Sequence, residues 1–184
     1  MNNYEEEKVN WGPWVGPWKR CHNNPLLPPA GDNYKVGMCP GLNSVIYHQG
    51  YWWMFIYNQD GHNTRLAVSK KGYDWEQVGE EPLLSAEYEW EGTYALTKAV
   101  KFIDNKLFLY YMGKQGIEER IGAAFNTESD FFKTEWKKHP QNPLFTKKNL
   151  SSEVERVFPG SVVEDKGTYY MFFDSGYDYN HPHY

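Results

Sequence analysis

Cysteine is almost missing from this chain of 184 residues: Cys21 and Cys39 are the only two. A disulfide scaffold is therefore excluded, and a single bridge is the most the sequence allows. No run of 18 apolar residues occurs, which excludes a transmembrane helix. Positive charge is also short, with 19 Lys and Arg against 24 Asp and Glu, a net charge of -5 and a pI near 5.7. That balance does not fit a phosphate-binding footprint, so no nucleic-acid polymer is expected as a partner. The first eight residues are polar and acidic, unlike the basic, apolar start of a signal peptide. A cytoplasmic location is the default expectation.

Aromatic side chains are what the sequence has in excess. Trp (8), Tyr (15) and Phe (10) make up 18 % of it, although the mean hydropathy is -0.78. A core built on large rings argues against a helical bundle, whose seams want aliphatic residues. The mass of 21.7 kDa suits one ordinary domain.

The order of the residues shows a repeat. Residues 43–58 (NSVIYHQGYWWMFIYN), 98–113 (KAVKFIDNKLFLYYMG) and 160–175 (GSVVEDKGTYYMFFDS) align without a gap, at offsets of 55 and 62. A second block, 65–69, recurs 55 residues later at 120–124. A third marker is Trp followed, after six residues, by Pro-Leu-Leu or Pro-Leu-Phe. It begins at Trp18, Trp75 and Trp136. Three markers repeating in one order identify a structural unit.

Each unit reads as four antiparallel strands. In the first, strands are expected at 44–48, 51–57, 64–69 and 75–78, with Gln49-Gly50 as a two-residue hairpin turn. The second is expected at 99–102, 107–112, 120–125 and 136–138, and the third begins with 161–165 and 169–173. Four-stranded units of this length are blades of a β-propeller. The fold class is thus all-β, with about two and a half blades. Residues 1–17 form an N-terminal extension, and 18–184 a single partial propeller with blades near 42–84, 97–145 and 159–184. Eleven strands do not close a ring. Either the chain belongs to a longer protein, or two copies complete one propeller as a homo-oligomer, or 176–184 folds as an irregular cap. Trp75 and Trp136 recur with the blades and are expected to be largely buried between them.

The aromatic hairpin at 47–55, the block 65–75 and the Pro-Leu-Leu at 82–84 resemble the five-bladed propeller glycoside hydrolases. These are the arabinanase and β-xylosidase family, the invertase and levansucrase families, and the mannoside phosphorylases. The resemblance runs from about Trp18 to Ser175. It implies a carbohydrate ligand and a carboxylate at the start of each innermost strand. Here those positions are Leu42, Thr97 and Pro159, so acids have to come from the preceding loops. Glu91 and Glu153 share one repeat position and, with Asp32, are the expected catalytic acids. Two such groups can act as general acid and base, about 6.5–9.5 Å apart for inversion or about 5–5.5 Å apart for retention. Burial beside Trp90 is expected to keep one of them protonated.

Tyr34, Asn43, Trp53, Tyr94, Lys98, Arg156 and His62 are the expected substrate-binding residues, rings for stacking and polar groups for hydroxyls. Arg65 and Arg120 are expected to pair with neighbouring blades. The resemblance allows a central Ca²⁺, but no residue demands one. His181 and His183 lack the carboxylate partner that a metal site wants. No cofactor is expected. Three functions fit: a glycosidase or phosphorylase-like enzyme, a carbohydrate-binding module without chemistry, or a nucleotide-sugar binder. The net charge disfavours the last.

Overall fold

The computed structural model describes residues 41–58, 62–133, 135–150 and 156–176, with backbone only at 41–43 and 57–58. Asp32, Tyr34, Glu153, both cysteines, the Trp18 marker and the C-terminal histidines lie outside the described residues.

Among the described residues ten strands make three antiparallel sheets. The first blade is β1 (Gly41–His48), β2 (Tyr51–Asn58), β3 (Asn63–Ser69) and β4 (Glu76–Gln77), in that order across the sheet. The second is β5 (Leu96–Ile103), β6 (Lys106–Gln115), β7 (Glu118–Thr127) and β8 (Lys137–Lys138). The third sheet holds β9 (Arg156–Asp165) and β10 (Thr168–Gly176). The all-β blade architecture is the one the repeat implies. The inner strands begin three to five residues earlier than their apolar runs. Backbone pairing continues past them toward the rim, as in Gly41 with Tyr57 and Val157 with Ser175.

Local chemistry sets these hairpins. Gln49 and Gly50, Asp104 and Asn105, and Lys166 and Gly167 all have positive φ. Two such residues in a row make the turn whose twist matches a right-handed β-ribbon. Side-chain alternation then divides the faces. Leu107, Leu109 and Tyr111 on β6 are fully buried against Phe55, Leu66, Leu84 and Phe131, which forms the core between the first two blades.

The Pro-Leu-Leu marker has a clear task. After β4 the chain turns back along β3, where Leu83 N donates to Thr64 O (2.7 Å) and Thr64 N to Leu84 O (2.9 Å). Leu83 and Leu84 thereby enter the interblade core. The second blade repeats the device, with Leu144 N donating to Ile121 O (2.8 Å) and Phe145 meeting Phe173 of the next sheet (4.9 Å).

The recurring tryptophans differ. Trp136 is 9 % exposed and belongs to the interblade core. Trp75 is only half-buried, contrary to the expectation, and packs on Met54, Ile56 and Ala67. It lies on the face of the first blade turned away from the second, where Tyr47 and Trp52 are exposed. The third sheet likewise exposes Val163, Tyr170 and Phe172. Arg65 and Arg120 also depart from expectation, because each bonds within its own blade, to Glu80 O and to Glu118. Each is held by partners close in sequence, which are already within reach.

Candidate functional site

The strand directions define two rims. β1, β5 and β9 begin at one rim and run toward the three hairpin turns at the other. Near the first rim each inner strand carries a bulge. The strand register shifts at Asn43, Lys98 and Gly160, between Leu42 and Ser44, Thr97 and Ala99, and Pro159 and Ser161. These are the three positions at which the repeat starts. A bulge bends its strand, and all three inner strands carry theirs near this same rim.

Side chains from three successive blades come together at this rim. His62, just before β3, stacks on Tyr94 at 3.9 Å between centroids with the planes 16° apart. Its Nδ1 lies 3.2 Å from Thr93 Oγ1, and its carbonyl accepts from Ala95 N (2.8 Å). The Lys114 ammonium stands 5.8 Å over the Tyr94 ring. It is also 3.7 Å from Glu119 Oε1, which lies 3.6 Å from Arg156 Nε. The line His62–Tyr94–Lys114–Glu119–Arg156 therefore crosses from the first blade to the third.

Burial dominates the electrostatics here. It raises the Glu119 carboxyl above its ordinary value, with Arg156, Lys114 and Lys98 pulling the other way. It lowers the Lys98 ammonium, opposed by Glu119. A desolvated carboxyl beside a desolvated ammonium is an arrangement that clusters at functional sites.

Four of the expected residues are thus brought together: His62, Tyr94, Lys98 and Arg156. Asn43 belongs to the same ring of bulges. Tyr94 gives one ring face to His62, which leaves less of it for stacking on a sugar. Trp53 is not at this rim. It sits toward the hairpin end, edge-on to Phe131 (4.9 Å), with its indole N–H donating to His48 O (3.2 Å). Alternation turns it into the space between blades.

Glu91 is the clearest correction. It is fully buried, and both its oxygens accept hydrogen bonds from inside the fold. Oε1 accepts from Tyr111 Oη (2.6 Å), while Oε2 accepts from Glu87 N (2.6 Å), Tyr88 N (2.9 Å) and Lys138 Nζ (2.7 Å). Lys138 lies on the outer strand β8, so this carboxylate is turned away from the inner strands. Trp90 beside it lies against the backbone of Gly113 and Gly122, where an added Cβ would come within 2.5 and 2.7 Å of the indole. The segment is a buried clasp. Its carboxylate is enclosed by the fold and held by four donors, away from any ligand at the rim.

Glu119 is the rim residue that sequence reasoning missed. By the 55-residue offset it occupies the position of Thr64 in the preceding blade. Thr64 Oγ1 donates to Ala95 O (2.8 Å) and accepts from Thr97 N (2.9 Å), reaching the inner strand of the next blade. Glu119 reaches Arg156 of the next inner strand from the same place. An acid replacing a small residue at an interblade position was the available signal.

A calcium ion seeks six to eight oxygen ligands. Among the described residues no three His, Cys, Asp or Glu side chains come together for a metal, and the rim contributes three cations.

No protein-family model and no curated protein matches the sequence. Solved structures do. A thermostable family-43 glycoside hydrolase is similar with TM-score 0.55 and 19 % identity, over 70 % of this chain and 39 % of that one. A family-43 β-xylosidase/α-arabinofuranosidase from a compost microbial metagenome, solved with xylotriose, gives 0.51 and 16 %, over 74 % and 43 %. A Bombyx mori family-32 β-fructofuranosidase, solved with sucrose, gives 0.50 and 15 %, over 77 % and 32 %. This chain therefore spans a third to under half the length of these structural relatives. It shares with these structures the fold of part of a β-propeller.

Proposed function

We propose that this chain contributes to a glycoside hydrolase-like propeller that holds a glycan at the rim where β1, β5 and β9 begin. The carrying observation is the convergence of His62, Tyr94, Lys98, Glu119 and Arg156 from three blades on that rim. A ring beside a carboxylate and several N–H donors supplies what sugar hydroxyls and C–H faces need. The structures of similar fold were solved with xylotriose and sucrose, which supports a neutral oligosaccharide. Cleavage falls to carboxylates of the loops entering the inner strands, with Asp32 and Glu153 as the pair. They would act as acid and base, or acid and nucleophile, according to their separation.

One observation favours binding without cleavage. Thr97 stands at an inner-strand start where the resemblance implies an acid, and it is fully buried and bonded to Thr64. Aryl glycosides and oligosaccharides, screened for turnover and binding, separate the two. Turnover lost in Glu153→Gln or Asp32→Asn with binding retained supports hydrolysis. Binding with no turnover supports the module. Neither binding nor turnover across the panel contradicts both.

A further inference from the structure

We infer that Glu119 is the carboxylate through which the rim grips its sugar, accepting hydroxyl hydrogen bonds on Oε2. This rests on the rim being a glycan site, and it adds the residue that fixes the ligand's orientation.

Three neighbouring glutamates show the contrast. Glu91 is buried with four donors on its two oxygens. Glu118 is held at 2.5 Å by both Arg120 and Lys147. Glu119 is 4 % exposed, yet its closest cations stand at 3.6 and 3.7 Å, both on Oε1. Its Oε2 is buried and has no hydrogen-bond partner among the described residues. Leaving a buried carboxylate oxygen without a donor is costly for the fold, and such groups persist where a ligand or a reaction uses them. Lys114 and Arg156 hold the carboxylate through Oε1 and leave Oε2 without a donor among the described residues.

The location supports the same role. Glu119 lies at the start of β7, between the Tyr94–Lys114 pair and the first residue of β9. Its equivalent, Thr64, spends its hydroxyl on the backbone of the next blade. At Glu119 that bonding capacity is left open. Acceptance by a carboxylate is about twice as strong as a neutral hydrogen bond, and a ring with adjacent hydroxyls can offer two donors. Burial raises the carboxyl's pKa, so the grip is expected to weaken as the pH falls toward acid.

The test is calorimetric titration of the full chain with xylotriose, sucrose and further neutral oligosaccharides, in wild type, Glu119→Gln and Glu91→Gln. Glu119→Gln is expected to keep its Tm within about 3 °C of wild type and to lose roughly tenfold or more in affinity. The acid-side fall in wild-type affinity is expected to be absent from this variant. Equal affinity in wild type and Glu119→Gln overturns the inference while leaving the glycan site standing. A loss of Tm matching that of Glu91→Gln also overturns it, because Glu119 is then a structural acid. If no oligosaccharide binds wild type, the glycan reading of the rim itself fails.

Discussion

Tyr111 Oη donates to Glu91 Oε1 over 2.6 Å, and this bond ties the segment entering the second blade to the centre of its sheet. Burial first, and then this hydrogen bond, push the Tyr111 phenol well above its ordinary value, so it remains a donor at any working pH. Asn142 Nδ2 donates to the same phenol oxygen (3.0 Å), and Lys138 closes the network on the other carboxylate oxygen (2.7 Å).

Glu91→Gln should therefore be a stability variant. It leaves Lys138, whose side chain is 2 % exposed, without its close counter-charge. Removing one partner of a buried pair costs about 3–5 kcal/mol. Urea unfolding checks this. A change below about 0.5 kcal/mol, as for an ordinary surface site, contradicts the clasp.

Gly122→Ala should displace Trp90. The added methyl would sit 2.7 Å from the indole and 2.8 Å from Tyr111 Cζ, with ring atoms on both sides. Overpacking of this kind costs about 1–3 kcal/mol. The Trp fluorescence maximum should shift with it, and an unchanged spectrum and midpoint would count against the close approach.

The recurring tryptophans should separate on truncation. Trp136→Ala removes a core ring and should cost about 3–5 kcal/mol. Trp75→Ala removes a half-buried one and should cost roughly 1–2 kcal/mol. Equal losses in chemical denaturation would mean that the outer face of the first blade is covered.

Adjacent glutamates should give opposite pH dependence. Hydrogen bonds from Lys147 and Arg120 lower Glu118 from its ordinary 4.5. Its stabilisation is therefore present above that value and lost as the pH falls through the folded pKa. Burial raises Glu119 from the same 4.5. Its contribution is present below that value and lost as the pH rises through the folded pKa. Relative to wild type, Glu118→Gln should lose most at about pH 7 and little at about pH 3, and Glu119→Gln should gain most at about pH 7. Added salt should shrink the Glu118 effect, because that pair is partly exposed.

Most of the fold is legible in the sequence because blades repeat. Asp104-Asn105 and Lys166-Gly167 copy the turn at Gln49-Gly50, and the gapless segments begin on the three bulged residues. The site is legible only in part. Periodicity gives a residue's place along a strand, which is enough for Lys98 and Arg156. It does not give the direction of a loop side chain, so Glu91 reads as a rim acid although it faces β8. Glu119 is hidden for a different reason. It follows another glutamate in a charged hairpin, and only the bonding of Thr64, one blade earlier, shows that this position reaches across to the next inner strand.

The rim itself is tested most directly by backbone amide NMR on the full chain during titration with xylotriose. Binding at the rim predicts shifts centred on Tyr94, Lys98, Lys114, Glu119 and Arg156, with Gln49, Asp104 and Lys166 at the opposite end unmoved. Shifts confined to those hairpin tips, or none at saturating sugar, would contradict it.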